Sequence, residues 1–374
     1  MSFDGRTWSG ALPALDSANT LVLVFGASEA AFMHDALRTI ATTYPTSRVV
    51  GCSSAGEIDG TKVVDGTIVV AVAKFQCTSV ATAYARVDAA GESYAAGQSI
   101  ARDLAHRDLR GILILSDGLN VNGSELVRGV NAGVGDDVVV TGGLAGDGSR
   151  FKATWVLRDG RPTGHLVSAV GFYGDHVVIG HGSKGGWDTF GPERKVTRSA
   201  GNVLYELDGQ PALQLYKSYL GDRAQDLPAT GLLFPLALRP SATDEKSLVR
   251  TLLAVDEVKQ SLTFAGDIPQ GHFVQLMRAN FDRLIDAAGD AALMTKETAG
   301  SEQHGDVLAV AISCIGRRLV LGERVGEELQ TAADMLPHGT KQVGFYSYGE
   351  ISRYATGDCD LHNQTMTLTT FAER

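Results

Sequence analysis

Short apolar runs alternate with stretches of helical period along this chain, and the alternation recurs. Residues 21–25 form a continuous apolar run of the kind that a strand buried on both faces requires. Gly26-Ala27-Ser28 ends it, and Ser28 can cap a helix whose apolar positions (Phe32, Met33, Ala36, Leu37, Ile40, Ala41) follow helical spacing. Tyr44-Pro45 stops that helix. A strand is then predicted up to Gly51, followed by a turn and strands at 68–75 and 77–87. The order returns with a buried strand at 111–115, a helix capped by Ser124 and carrying Leu126, Val127 and Val130, a strand at 138–141, a turn, and a strand at 166–172.

Three turn phrases punctuate this pattern, each a β-branched run, then small residues, then Gly and a carboxylate. They read Val49-Val50-Gly51-Cys52-Ser53-Ser54-Ala55-Gly56-Glu57, Val140-Thr141-Gly142-Gly143-Leu144-Ala145-Gly146-Asp147 and Val343-Gly344-Phe345-Tyr346-Ser347-Tyr348-Gly349-Glu350. Aligning Glu57 with Asp147 gives an offset of 147 − 57 = 90, and the strands starting at Leu21 and Gly111 share it, 111 − 21 = 90. The register implies a duplication, with a hairpin around Asp159-Gly160 absorbing a later increase in offset. A third, looser copy has a strand at 307–312, a helical stretch carrying Leu319, Val325, Leu329 and Leu336, a strand at 342–345 and a final strand at 361–371. Between copies two and three, the Gly-rich residues 181–192 read as a crossing. A strand at 202–207, a helix with Pro211 at its first turn and Gly221 past its end, a hairpin (247–255, 261–265) and a strand at 273–277 leading into an Ala- and Leu-rich helix follow. The expected fold is α/β: two domains, 1–198 and 199–374, with mixed β-sheets covered by helices and an N-terminal half built from an internal duplication.

Composition narrows the function classes. With 374 residues, 44% hydrophobic, and 43 acids against 33 bases for a net charge of −10, the chain lacks the clustered Lys/Arg that nucleic acid or an anionic membrane surface requires. No apolar run reaches bilayer-spanning length, and the first residues carry no secretory pattern, so a cytoplasmic location is expected. Cys52, Cys77, Cys314 and Cys359 are scattered, which argues against a zinc site or a disulfide framework. Asn122 and Asn363 stand in sequons that a cytoplasmic chain does not use.

The first two turn phrases resemble the paired signatures of the FIST N-terminal domain, a family of sensory and signal-transduction modules. Residues 202–212 (NVLYELDGQPA) resemble the start of its C-terminal partner domain, and 345–351 (FYSYGEI) with 361–369 (LHNQTMTLT) its closing signature. The resemblance runs from about Leu21 to Phe371. It implies a non-enzymatic module that binds a small ligand, an amino acid or related metabolite, and signals through a separate protein such as a histidine kinase or a cyclic-dinucleotide enzyme. Some family members are similar to haem-binding nitric-oxide sensors, so haem is the cofactor the resemblance raises. The lack of a preceding F-box points to a bacterial protein.

The residues themselves leave several chemistries open. Gly51-x-Ser53-x-Ala55 approaches a nucleophile elbow, but a strand rather than a helix follows, and no Asp or His partner is evident, so a Cys52- or Ser53-dependent hydrolase is the weaker alternative. Glu57, Asp147 and Glu350 can anchor a ligand's ammonium group or merely accept hydrogen bonds from turn amides. Ser54, Gly56 and Gly143 supply the small turn positions that would face such a ligand. Tyr346 and Tyr348 alternate onto one face with Glu350, as an aromatic clamp or as ordinary packing. His362 and Gln364 alternate with Asn363 and Thr365 at the start of the last strand. A haem ligand among His176, His181, His304 and His362 cannot be chosen by sequence.

Overall fold

The computed structural model describes all residues except 30–32, 242, 244–246, 301–304 and 354–357. Three units of one connectivity form its main body. Each begins with a parallel strand pair joined through helix: Thr20–Ala27 with Arg48–Ser54, Leu109–Ser116 with Val139–Leu144, and Leu308–Cys314 with Lys341–Ser347. We call these the lead and return strands. A closing strand (Ile68–Lys74, Leu166–Tyr173, Met366–Glu373) then runs antiparallel to each lead strand.

Between return and closing strands, every unit carries a short hairpin that leaves its own sheet. Glu57–Asp59 and Lys62–Val64 extend the sheet of the third unit, Val156–Arg158 and Arg161–Thr163 that of the first, and Gly349–Arg353 and Cys359–His362 that of the second. This cyclic exchange ties together three six-stranded sheets.

The sheets turn one face toward a shared interior and the other toward helices, so lead strands are buried on both sides. Leu21, Leu23, Phe25, Leu113, Leu115, Val310 and Ile312 meet in the interior cluster, with Phe75, Phe172 and Phe371 at the end where lead strands begin. Phe172 stacks on Phe371 at 4.5 Å between ring centroids. The alternating residues face outward: Val22 and Val24 pack with the helix His34–Thr43, and Ile112, Ile114, Ala309 and Ala311 with the other helices. Burying each larger aliphatic side chain contributes about 1.5–3 kcal/mol. That two-sided burial is why these strands read as unbroken apolar runs.

Residues 188–278 are an insertion in the third unit. They lie between the strand Val177–Lys184 and the helix Phe281–Thr298, and hold an eight-stranded sheet and the helix Ala212–Leu220. Pro211 and Gly221 bound that helix as expected, Gly221 with φ of 57°. The expected boundary at Ser199 falls inside the strand Asp188–Ala200.

Several local expectations are corrected. The Gly-rich stretch at 181–192 is not a loose crossing but parts of two strands. Gly180 and Gly182 serve close packing, since a Cβ there would lie 2.1 Å from the carbonyl oxygens of Thr295 and Ala291 respectively. The helix Gly123–Asn131 is capped by Asn122 rather than Ser124, the Asn122 side chain accepting from the Glu125 amide at 3.2 Å. Met33 occupies the cap position of the first helix instead of Ser28, and Phe32 lies outside the described residues. The predicted final strand is two strands in different sheets, Cys359–His362 and Met366–Glu373. Gln364, with φ of 63°, breaks the alternation assumed for residues 362–365.

Candidate functional site

The three turn phrases meet where the return strands end. Their main chains are joined in a ring: the Ala55 amide donates to the Tyr346 carbonyl at 2.8 Å, Tyr348 to Leu144 at 3.1 Å, and Gly146 to Ser53 at 3.1 Å. The ring fixes which residues correspond. Three glycines confirm the register, because a Cβ on Gly51, Gly142 or Gly344 would lie 2.0, 1.9 or 1.7 Å from the carbonyl oxygen of Val24, Ile114 or Ala311. Lead strands are thus offset by 114 − 24 = 90 but return strands by 142 − 51 = 91.

That single residue changes the reading of the carboxylates. Glu57 opposes Phe345, and Glu350 opposes Gly143, whereas the residue opposing Cys52 in the matching place is Val156. Glu57 and Glu350 are therefore equivalent, while Asp147 corresponds to Gly56 and Gly349. The surroundings of the two glutamates also correspond. Glu57 accepts from the Thr67 amide at 3.1 Å and hydroxyl at 2.8 Å, and the Ser54 hydroxyl lies close by. Glu350 accepts from the Thr365 amide at 3.2 Å, its hydroxyl at 3.0 Å, and the Ser347 hydroxyl at 2.5 Å. In the second unit the Ser–Glu–Thr set is replaced throughout by Ala145, Val156 and Leu166, all buried in the interior cluster. Burial raises the carboxyl of Glu57 to about 7 and that of Glu350 to about 8 against these hydrogen bonds.

Asp147 does different work. Its carboxylate accepts from the amides of Phe151 and Lys152 at 2.8 Å and Ala153 at 3.0 Å, and from the Tyr348 hydroxyl. Burial opposes ionisation, but these donors outweigh it and hold the pKa below its ordinary value. Tyr348 also stacks on Phe151 at 4.6 Å. Tyr346 is buried elsewhere, with the Arg318 guanidinium 5.7 Å from its ring and its hydroxyl without a hydrogen-bond partner among the described residues. The two tyrosines and Glu350 therefore do not form one clamp, because the chain changes sheet between Ser347 and Gly349.

The remaining candidates are also engaged internally. Cys52 is fully buried, and burial pushes its thiol far above the ordinary range. The Ser53 hydroxyl accepts from the Trp155 amide at 3.1 Å, and that of Ser54 from Gly56 at 2.7 Å. A Cβ on Gly56 would strike the Arg318 guanidinium, and one on Gly143 the Ile312 side chain. His362 Nε2 meets the Ser352 carbonyl at 3.0 Å, and burial lowers its pKa to about 4. Gln364 Nε2 donates to Leu232 at 3.0 Å, while Asn363 lies within 3.5 Å of both the Thr251 amide and the Tyr348 carbonyl. The structure brings the turn residues together, but as a closed knot.

Two cavities lie away from it, and none of the candidate ligand-binding residues read from the sequence lines either. One, of about 890 Å³, borders the closing strand Ile68–Lys74 at the opposite end of the sheets. The other, of about 430 Å³, separates the helix Gly123–Asn131 and the Asp358–Asp360 segment from the inserted sheet. Its walls carry Glu125, Arg128, Asp267, Asp358 and the buried Arg250. Arg250 donates to the carbonyls of Asp267 and Leu361, each at 3.0 Å, which ties the insertion to the second unit's sheet. Sequence reasoning missed these residues because a charge on a helix face or in a loop looks like any solvated charge. A haem needs an axial His, Cys or Met beside a large apolar pocket. The larger cavity has Met1 but neither His nor Cys, the cleft holding His272 and Cys359 is charged, and His304 lies outside the described residues. Neither place combines a His or Cys with an apolar wall, so the lining of these cavities gives haem no support.

Comparison with known proteins gives the family. The FIST N domain matches residues 20–210 and the FIST C domain residues 212–353, so the chain belongs to the FIST family. No curated protein matches. A solved cyanuric acid hydrolase from A. caulinodans aligns over 95% of this chain and 90% of its own at 9% identity, with a TM-score of 0.34, too low to argue fold or activity. FIST domains are associated with sensory signal transduction and small-ligand binding. Among the described residues, no helix is long and apolar enough to cross a membrane.

Proposed function

We propose that this FIST-family chain is a cytoplasmic sensor that binds a small zwitterionic metabolite of the amino-acid class without transforming it. Occupancy is then passed to a separate partner protein. The observation that carries the reading is the cleft of about 430 Å³ whose walls come from the main body and the insertion. A zwitterion needs charges of both signs, and Arg128 and Arg250 stand against Asp267 and Asp358 there. The buried Ser124 hydroxyl has no hydrogen-bond partner among the described residues and can bond a ligand. A ligand touching both walls favours whichever arrangement of insertion and body suits it, and such differential affinity is the physical content of a sensor.

Isothermal titration of the full chain with the proteinogenic amino acids, singly, tests this. One or a few should bind, with affinity falling about tenfold or more in both Arg128→Ala and Asp267→Asn, since each removes a charge-assisted contact. Absence of binding by every amino acid, or identical binding in both variants, would overturn the assignment.

A further inference from the structure

The three units differ most at the outer edge of the closing strand. In the second unit Ser79–Arg86 pairs antiparallel with all of Leu166–Tyr173, and in the third Val177–Lys184 pairs with all of Met366–Glu373. In the first unit, only Ser2 and Phe3 pair there, opposite Val69 and Ile68. Met1 adds one more exchange, its carbonyl accepting from the Val70 amide at 2.7 Å and its amino group donating to the Val70 carbonyl at 2.9 Å. A strand's main-chain groups alternate between its two neighbours. Val72 and Lys74, two and four residues past Val70, therefore aim their N–H and C=O groups at the same edge, where no strand among the described residues receives them.

The space beside that edge is the cavity of about 890 Å³. Ala71, Ala73, Phe75, Leu308, Val343 and Phe371 line it. In the other units, side chains of the flanking strand fill the corresponding space. Val80 and Ile179 both belong to the interior cluster, and Ile179 reaches within 2.4 Å of where a Gly111 Cβ would sit. The Arg48 guanidinium donates to the Val80 carbonyl at 3.3 Å. Register places Lys341 opposite Leu308 as Arg48 is opposite Leu21, so the two cations correspond. Lys341 lines the cavity, and while its amide donates to the Val307 carbonyl at 2.9 Å, its ammonium group has no hydrogen-bond or ion-pair partner among the described residues.

We propose that this edge is a docking site for an extended segment of a partner protein, which adds to Ile68–Lys74 as an antiparallel strand. Main-chain groups of Val72 and Lys74 supply the pairing. A β-branched apolar side chain of the segment enters the cavity against Leu308 and Val343, as Val80 and Ile179 do in the filled copies. One of its carbonyls receives Lys341. Strand addition of this kind takes affinity from the backbone and selectivity from alternate side chains.

The probe is a fluorescein-labelled peptide copying Ser79–Arg86, titrated against the full chain by anisotropy, with a scrambled peptide as control. Saturable micromolar binding is expected, about tenfold or more weaker for the scrambled peptide and for Val72→Pro, which removes an edge N–H. Hydrogen exchange on the unmutated chain decides the matter independently of that variant's folding: bound peptide should slow the amides of Val72 and Lys74. No saturation at millimolar peptide together with unchanged exchange overturns the proposal. So does protection that rises with protein concentration alone and accompanies a dimer in sedimentation, which assigns the edge to a second copy. Amino-acid binding at the other cleft is read separately, so either reading can fail alone.

Discussion

Replacing the buried Glu350 by Val should destabilise the protein more than removing its whole hydrogen-bonded set. Glu350 is fully buried, and Ser347 and Thr365 are buried with it. Glu350→Val alone strands the Thr365 amide, the Thr365 hydroxyl and one bond of the Ser347 hydroxyl. An unsatisfied buried donor costs about 1–3 kcal/mol, and the Ser347 hydroxyl can still donate to the Ser313 carbonyl at 3.3 Å, so the two Thr365 donors set the loss at about 2–6 kcal/mol, less whatever is recovered by no longer burying a carboxyl. The triple variant Ser347→Ala, Glu350→Val, Thr365→Val strands only the Thr365 amide, and should lie about 1–3 kcal/mol above the single variant. The second unit already makes this exchange, with Ala145, Val156 and Leu166 in the matching places.

Urea unfolding followed by far-UV circular dichroism and tryptophan fluorescence measures both, provided the two probes give one transition. The interaction free energy follows from a cycle through the single variants, since contacting residues do not add. A triple variant as unstable as Glu350→Val, or more so, refutes the reasoning. It would mean that Glu350 is held for a task the hydrogen-bonded set does not explain.

Other outcomes follow from the same geometry. Glu57, with its folded pKa raised from 4.5 to about 7, keeps a proton that the unfolded chain releases, so stability should fall as pH rises between those values, by about 3 kcal/mol for this group. Glu57→Gln should flatten that part of the slope in urea melts from pH 5 to 8, and an unchanged slope would count against it. Asp147 works with the opposite sign: its lowered pKa contributes stability above the unfolded value that is lost in acid, so in urea melts Asp147→Asn should destabilise most above about pH 4 and the difference from the parent chain should shrink as the pH falls below it. Of the four cysteines only Cys77 is exposed, and burial raises the thiols of the other three. Iodoacetamide on the native chain should alkylate Cys77 alone, read by peptide mass spectrometry.

How much of this was legible depended on whether a residue's role was local. Two-sided burial writes itself into the chain as apolar runs, so the lead strands at Leu21, Gly111 and Val307 could be read directly, and their spacing exposed the repeated unit. Pro211 and Gly221 marked a helix for similarly local reasons. The hairpin exchange left no such trace. Nothing in Glu57-Ile58-Asp59 says that it pairs with a strand nearly three hundred residues later, because pairing partners are chosen by the closed arrangement of all three units. Gly182 was misread for the same reason: the helix that requires its missing side chain lies about a hundred residues on, at Ala291.

The repeated Gly–carboxylate phrase could be read in two ways, and the one-residue shift in the second unit separates them. Sequence spacing equates three carboxylates; the backbone contacts equate two and put valine in the third place. A ligand anchor repeated for function has no reason to lose its serine and threonine neighbours together with the glutamate. A structural rivet does, since removing one polar member leaves the others unsatisfied in the interior. The concerted replacement by Ala145, Val156 and Leu166 therefore identifies the knot as part of the fold's framework. Function is then sought where the three-unit pattern is broken: at the insertion that creates the charged cleft, and at the closing strand Ile68–Lys74, whose edge is only partly paired among the described residues.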